Sequence, residues 1–131
     1  MGNQRVLADT SVLIEYFRKY NKADSMLYKL SKEFDICISS ITAFEFLSGT
    51  NQSNKEAIKE LLKRLDIINF DLDCADIAGN IYRQLKTENK IIDTADILIG
   101  ATALKLSVPL ATLNLKHFER IKGLELYQNL I

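Results

Sequence analysis

Four side chains that carry oxygen lie near the ends of apolar segments that are far apart in the sequence. They are Asp9, Glu45, Asp96 and Asn114. In open α/β sheets, functional side chains gather at the carboxyl ends of the strands, so segments of this kind can bring the four to one edge. Ligand sets made of oxygen alone favour hard cations such as Mg²⁺ or Mn²⁺ over zinc. The spacing therefore predicts a metal-binding edge.

Each of these residues also has an ordinary structural explanation when it is taken alone. Asp9 would cap the helix that follows it, and Glu45 would lie on the exposed face of its own helix. Asp96 would be favoured by the dipole of a helix that Asp93 caps. Asn114 is of a residue type that is common in turns. The grouping of the four is what favours the metal site.

The composition leaves few other kinds of catalytic site. The chain of 131 residues has one histidine and no tryptophan, and its 17 basic residues balance its 17 acidic ones. A zero net charge argues against binding nucleic acid by bulk charge alone, although bound cations can still meet phosphates. Cys37 and Cys74 lie in apolar runs without metal-ligand spacing, so we expect buried free thiols and a cytoplasmic protein.

Strand-like and helix-like patterns alternate along the chain. The predicted strands are 5–8, 34–39, 66–71, 108–112 and 124–128. The predicted helices are 10–20, 22–33, 40–49, 53–66, 73–89, 94–107 and 115–120. Thr10 or Ser11 is expected to cap the first helix, and Ser40 or Thr42 the third.

This alternation predicts an α/β fold with a short, mostly parallel central sheet and helices on both faces. Residues 1–131 contain no repeat or linker, so we expect a single domain. No apolar run reaches the roughly eighteen residues of a membrane span, so no membrane association is expected.

Four stretches resemble the PIN-domain ribonucleases, and most closely the VapC-type toxins of toxin–antitoxin pairs. They are LADTSVLIEYF, SSITAFEFLSG, DTADILIGATAL and LATLNLKHFERIKGLEL. They cover the chain almost from end to end and follow the order of the family. The most specific part is D-x-x-I-x-A-x-A followed by T-x-N-x-x-H-F. The resemblance implies a PIN-like fold and a metal-dependent endoribonuclease.

The resemblance also implies which residues bind Mg²⁺ or Mn²⁺. The acids of the family's metal site fall on Asp9, Glu45 and Asp96, and its fourth position, often aspartate, falls on Asn114. The missing charge would weaken a second metal site, and Asp93, one helical turn before Asp96, would partly replace it.

We interpret the site as follows. Asp9 and Asp96 anchor the principal metal, while Glu45 holds a second metal or orients a water molecule. The hydroxyl groups of nearby residues are expected to hydrogen-bond to these carboxylates. The candidates are Thr10, Ser11 and Thr112. Basic side chains near these segments would guide the RNA backbone towards the acids. The candidates are Arg18, Lys19, Lys22, Lys116 and Arg120. The alternative for each is an ordinary exposed surface residue. His117 is assigned no chemical role, because a lone histidine in a turn is more often structural or contacts phosphate.

The family implies an RNA substrate, a cognate antitoxin that enters the active-site groove, and commonly a homodimer. Two alternatives stay open: a PIN nuclease without an antitoxin, and a PIN-like module that binds RNA without cutting it. A phosphoaspartate receiver would need a pair of acids after the first strand, and a haloacid-dehalogenase phosphatase an aspartate where Ser11 stands. The RNA target stays open among transfer, ribosomal and messenger RNA.

Overall fold

Within the residues that the structure describes, the central sheet has four strands. The structure, a computed structural model, describes residues 4–130, and the side chains of 4–128. The strands are β1 (Gln4–Ala8), β2 (Phe34–Ser39), β3 (Asp66–Ile68) and β4 (Leu110–Ala111). They pair in the order β3-β2-β1-β4, and all pairs are parallel. The predicted α/β class with a parallel sheet is confirmed.

Helices connect the strands along the described chain. They are α1 (Thr10–Arg18), α2 (Met26–Ser31), α3 (Ser40–Ser48), α4 (Lys55–Lys63), α5 (Leu72–Thr87), α6 (Thr94–Leu106) and α7 (Leu115–Phe118). Single 3₁₀ turns lie at Lys22–Asp24 and Tyr127–Leu130. Within residues 4–130, none of the helices has the length and apolar character needed to cross a membrane.

The strand β1 divides the apolar interior into two parts. Val6 and Ala8 pack in a cluster with residues of α1 to α4, whereas Leu7 packs in a second cluster with residues of α5 to α7. Successive side chains of a strand point to opposite faces of the sheet, so these two clusters lie on opposite sides. Helices therefore cover both faces, as predicted.

The predicted helix 22–33 is interrupted. Ser25 is buried, donates to the carbonyl of Lys22 at 2.7 Å and accepts from the amide of Tyr28 at 3.2 Å. Ser25 therefore closes a 3₁₀ turn and caps α2, and the backbone at Ser25 is extended. The periodicity of Met26, Leu27 and Leu30 indicated the helix but not this break.

The predicted last strand, 124–128, is wrong. A single parallel bridge joins Leu110 and Leu126, where the amide of Leu110 donates to the carbonyl of Glu125 at 2.8 Å. Beyond it, the side-chain amide of Gln128 donates to the carbonyl of Thr112, and the chain continues in the 3₁₀ turn. A side chain thus replaces the backbone ladder that a strand would have made.

Strands three and four are shorter than the apolar runs suggested. The backbone of Phe70 donates to the hydroxyl of Ser40 at 3.0 Å instead of to a strand. Pro109 has no amide hydrogen to donate to a ladder, and its carbonyl accepts from Leu7 at 2.9 Å.

Both cysteines are free and buried, as predicted. Burial raises the pKa of the Cys37 thiol to about 11 and also raises the pKa of Cys74. The two thiols are therefore protonated at neutral pH and are poor nucleophiles.

Candidate active site

Asp9 lies at the carboxyl end of β1 and caps α1. Its carboxylate accepts from the amide of Val12 at 3.2 Å, from the hydroxyl of Ser11 at 2.6 Å and from the hydroxyl of Thr112 at 2.5 Å. The residue is 2% exposed. Asp9 itself caps α1, so the cap predicted at Thr10 or Ser11 is wrong by one or two positions. Asp9 also lies at the end of β1, where the sequence predicted a site residue.

The carboxylate of Asp9 lies in an unfavourable place for a negative charge. Burial is the main cause that raises the pKa of Asp9, and the charge of Asp96 raises it further, against the hydrogen bonds from Ser11, Thr112 and Val12. Among the residues that the structure describes, no lysine, arginine or histidine forms an ion pair with Asp9. A bound cation would remove this penalty.

Asp96 lies in the first turn of α6, and its side chain is 15% exposed. His117 of α7 contacts it, with Nδ1 3.0 Å from Asp96 Oδ2. The T-x-N-x-x-H-F motif contains this histidine, but nothing in the sequence pairs it with an acid 21 residues earlier. His117 is therefore a site residue that the sequence interpretation missed.

Glu45 is half-buried on α3 and is bound to α1. The hydroxyl of Thr10 lies 2.5 Å from Glu45 Oε1 and 3.3 Å from the hydroxyl of Thr42, which is fully buried. Ser39 caps α3, so the predicted caps, Ser40 and Thr42, are wrong. Thr10 thus holds one oxygen of Glu45 in place.

The segment after β4 closes one side of the site. The hydroxyl of Thr112 accepts from the amide of Asn114 at 2.8 Å, and the hydroxyl of Ser11 accepts from the amide of Leu113 at 3.0 Å. Asn114 is exposed at the start of α7, and its side chain makes no capping hydrogen bond. Its backbone amide thus joins Asn114, the fourth predicted ligand, to Thr112, and none of the hydrogen bonds found among the described residues uses its side-chain amide group.

Asp93 lies at the position immediately before α6. Its carbonyl accepts from the amide of Ile97 at 3.1 Å, but its exposed side chain makes no capping hydrogen bond. The cap of α6 expected from the sequence is therefore not made by the side chain of Asp93.

The arrangement suits a hydrated hard cation better than a fully enclosed one. Within residues 4–130, no three side chains of His, Cys, Asp or Glu lie close enough together to hold a metal ion. Mg²⁺ usually binds through one or two carboxylates and keeps several water molecules. The carboxylates of Asp9 and Asp96 are both negative and repel each other, so a pair of this kind fits that mode of binding.

The sequence profile of the PIN domain matches residues 6–124. The chain belongs to the PIN domain family. Over 126 residues it is 41% identical to Ribonuclease VapC1 of Methanocaldococcus jannaschii, and the match covers 94% of this chain and 87% of that protein. The resemblance seen in the sequence motifs is thereby confirmed.

Solved structures share the PIN fold of this chain. DNA-bound VapBC from Salmonella typhimurium matches with a TM-score of 0.83 and 24% identity, over 94% of this chain and 96% of that one. A toxin–antitoxin complex from Klebsiella pneumoniae matches with a TM-score of 0.73 and 26% identity, over 91% and 94%. The PIN-like fold predicted from the sequence is confirmed.

Two grooves flank α1 of this PIN domain, and Ile14 and Arg18 line both. The first has a volume of about 390 Å³ and reaches Ser11, Lys19 and Leu113. The second runs between α1, α3 and α4 and includes Glu45. Arg18 and Lys19 thus lie along surfaces that lead to the candidate ligands.

The other predicted RNA-guiding cations differ from one another. The ammonium of Lys22 donates to the carbonyls of Tyr16, Phe17 and Lys19 at 2.7, 2.9 and 2.8 Å, so it caps the end of α1. These bonds use all three of its donors, which removes it from the set available to RNA.

Lys116 and Arg120 lie in the segment that follows β4. Lys116 is exposed and lines a groove with Asn114 and His117. Arg120 is also exposed, and its Nη1 lies 3.5 and 3.4 Å from the carbonyls of Lys90 and Ile91. Arg120 therefore also supports the loop before α6.

Proposed function

We propose that this PIN domain is an endoribonuclease that hydrolyses RNA phosphodiester bonds with a bound Mg²⁺ or Mn²⁺. The observation that carries the proposal is the buried carboxylate of Asp9. The negative charge of Asp96 repels it, and no basic side chain among the described residues forms an ion pair with it. The 41% identity to a protein named as a ribonuclease supports the same reaction.

The carboxylates of Asp9 and Asp96 would hold the principal cation. Ser11 and Thr112 would fix the orientation of Asp9 through their hydroxyl groups. When bound, the cation would supply a water molecule of lowered pKa and would neutralise the charge that builds on the phosphate.

Glu45 would complete the site from the α3 side. Thr10 holds its Oε1, which leaves Oε2 to orient a water molecule or to contact a second cation. Asn114 would add a neutral oxygen, with Asp93 as a weaker source of charge at the same edge.

RNA would approach along the cationic surfaces that border the site. The chain as a whole has no net charge, so attraction must come from local groups. Arg18 and Lys19 border the grooves beside α1, and Lys116 lies beside Asn114. These three are the RNA-guiding residues that we propose, with Arg120 in a supporting position.

We further propose that the protein is the toxin of a toxin–antitoxin pair and forms a homodimer. A similar chain occurs in the toxin–antitoxin complex from Klebsiella pneumoniae. On α3, next to Glu45, Phe44 is 68% exposed and Leu47 is 41% exposed. Apolar side chains exposed beside a charged site suit a protein partner that covers both.

The test of the reaction is cleavage of labelled RNA by purified protein with Mg²⁺, with Mn²⁺ and with excess EDTA. Asp9→Asn and Asp96→Asn each remove a ligand charge at nearly constant size, so both should abolish cutting while thermal unfolding stays cooperative. Asp71→Asn is the matched control, because Asp71 caps α5 and pairs with Lys105 away from the site. Equal cutting in EDTA would remove metal catalysis from the proposal.

The cleavage assay, together with RNA retention and copurification, separates the alternatives. RNA retention without cleavage, and without response to Mg²⁺, would indicate an RNA-binding module. A PIN nuclease without an antitoxin would cut RNA, but the product of the adjacent gene would not copurify with it or inhibit it.

A further inference from the structure

We propose that His117 is a positioning residue that fixes the carboxylate plane of Asp96 for cation binding. The inference rests on the proposed function, because it assigns His117 a task only if Asp96 is a metal ligand. The deciding contact is the separation of 3.0 Å between His117 Nδ1 and Asp96 Oδ2.

The chemistry of the two groups fixes the direction of this hydrogen bond. An ionised carboxylate can only accept, so Nδ1 of His117 carries the hydrogen and donates it. Among the described residues, no other hydrogen bond reaches the side chain of Asp96. His117 therefore holds Oδ2 and leaves Oδ1 available for a ligand.

Asp96 needs such a donor because of its neighbour. The negative charges of Asp96 and Asp9 repel each other, and this repulsion favours orientations in which the carboxylate of Asp96 turns away from Asp9. The terminal torsion of an aspartate is broad, so packing of the backbone alone does not fix the carboxylate plane. A hydrogen bond to one oxygen does so, and ligating carboxylates in metal sites are commonly held in this way.

The backbone of His117 is itself held firmly against α6. Phe118, the next residue, is fully buried, and Ile121 is 4% exposed. Both pack at Gly100, one helical turn after Asp96, where an added Cβ would lie 2.6 Å from Ile121 Cδ1. The absence of a side chain at Gly100 lets this segment approach the face of α6 that carries Asp96.

His117 contributes little to the core, which separates positioning from simple stability. Its side chain is 46% exposed, whereas the adjacent Phe118 is 0% exposed. Replacing His117 should therefore leave the metal-free fold nearly unchanged while it alters how Asp96 meets a cation.

The experiment measures Mn²⁺ affinity directly, by electron paramagnetic resonance of free Mn²⁺ and by calorimetry, without RNA. His117→Asn keeps an amide donor near the place of Nδ1 and loses the ring. His117→Phe keeps the ring and loses the donor. We expect His117→Phe and His117→Ala to bind Mn²⁺ on the order of 10-fold more weakly, as is typical when such a partner is lost. His117→Asn should stay close to the parent protein.

Asp96→Asn in the same titration separates the two levels of the proposal. If Asp96→Asn weakens Mn²⁺ binding and His117→Phe does not, the role of His117 is wrong and the metal site stands. Equal losses in His117→Asn and His117→Phe would also overturn the role, because the donor would then not matter. Unchanged binding in Asp96→Asn would overturn both the metal site and the inference. Metal-free melting temperatures identify any variant that is misfolded, and the remaining substitutions then decide.

Discussion

Asp9 and Thr112 are separated by 103 residues in the sequence, yet the hydroxyl of Thr112 donates to Asp9 Oδ2 at 2.5 Å. Parallel pairing of Ala8 with Ala111 places the two residues side by side at the carboxyl ends of β1 and β4. Both are buried. The register of one short strand pair thus determines how the central carboxylate of the site is held.

We predict that Thr112→Val destabilises the protein and weakens cation binding. Valine keeps the shape of threonine, but it leaves a buried carboxylate without one of its donors, which typically costs about 1–3 kcal/mol. Thr112→Ser, which keeps the hydroxyl, should recover most of the loss. Urea unfolding and calorimetry with Mn²⁺ measure the two effects. Equal behaviour of the Val and Ser variants would show that the hydroxyl has no such role.

Asp9→Asn is expected to stabilise the metal-free protein at neutral pH. The pKa of Asp9 is raised by burial above its ordinary value of 3.8, so the unfolded state loses this proton at lower pH than the folded state. Stability is therefore lost as pH rises from 3.8 through the folded pKa, and the loss is complete above it. Urea unfolding in EDTA should show the variant's advantage at pH 7 and its disappearance towards pH 4.

Mg²⁺ should reverse the order of these two proteins. A ligand that binds only the folded state stabilises it by mass action, so the parent gains melting temperature with Mg²⁺. Asp9→Asn should gain much less. A parent protein whose melting does not respond to Mg²⁺ would contradict this expectation.

Asp71 should show the opposite pH dependence. Its hydrogen bond from the backbone of Cys74, helped by Lys105, lowers its pKa from 3.8 to about 2. Stability from a depressed carboxyl pKa is fully present above pH 3.8 and is lost as pH falls through the folded pKa. Asp71→Asn should therefore melt below the parent protein at pH 7 and approach it near pH 2. The effect should not depend on Mg²⁺, and melting curves over this pH range test it.

Lys22 and Arg18 should separate stability from RNA binding. Lys22→Ala removes three hydrogen bonds at the end of α1, so it should lower the melting temperature without changing RNA affinity. Arg18→Ala should weaken RNA binding and reduce the slope of log K against log salt by about 0.7, the value for one phosphate contact on a single strand. Filter binding in an Asp9→Asn background measures the RNA affinity and its salt slope for both variants without cleavage, and thermal melting measures their stability. A lower salt slope in Lys22→Ala would return it to the RNA surface.

Much of the fold follows from local pattern. The strand 34–39 and the helix 94–107 were predicted within one residue of the observed Phe34–Ser39 and Thr94–Leu106, because both are long apolar segments with clear ends. The segment 124–128 was misassigned as a strand because its apolar pattern is that of a strand. What replaces the ladder is the contact of the Gln128 side chain with Thr112, a pairing between distant segments.

The same limit applies to the candidate site. Asp9, Glu45 and Asp96 could be selected because strand and helix ends indicate an edge of the sheet. His117 could not be joined to Asp96, because the contact depends on how α7 packs against Gly100. The role of Lys22 was likewise hidden, since a lysine that caps a helix looks like a surface cation in the sequence.

Asn114→Asp is the last prediction, and it tests the fourth ligand position. Asn114 is exposed at the start of α7, and its carbonyl accepts from the amide of His117 at 3.1 Å, which places it beside the contact to Asp96. An added carboxylate should lower the Mg²⁺ concentration for half-maximal cleavage, because hard cations respond to ligand charge. Repulsion with Asp96 should lower the melting temperature in EDTA, and Mg²⁺ should restore it. Asn21→Asp is the matched control, since Asn21 caps a short 3₁₀ turn beyond the far end of α1 and should change neither quantity. If Asn114→Asp also changes neither, the metal-binding edge consists of three acids, and Asn114 is an ordinary residue of the turn.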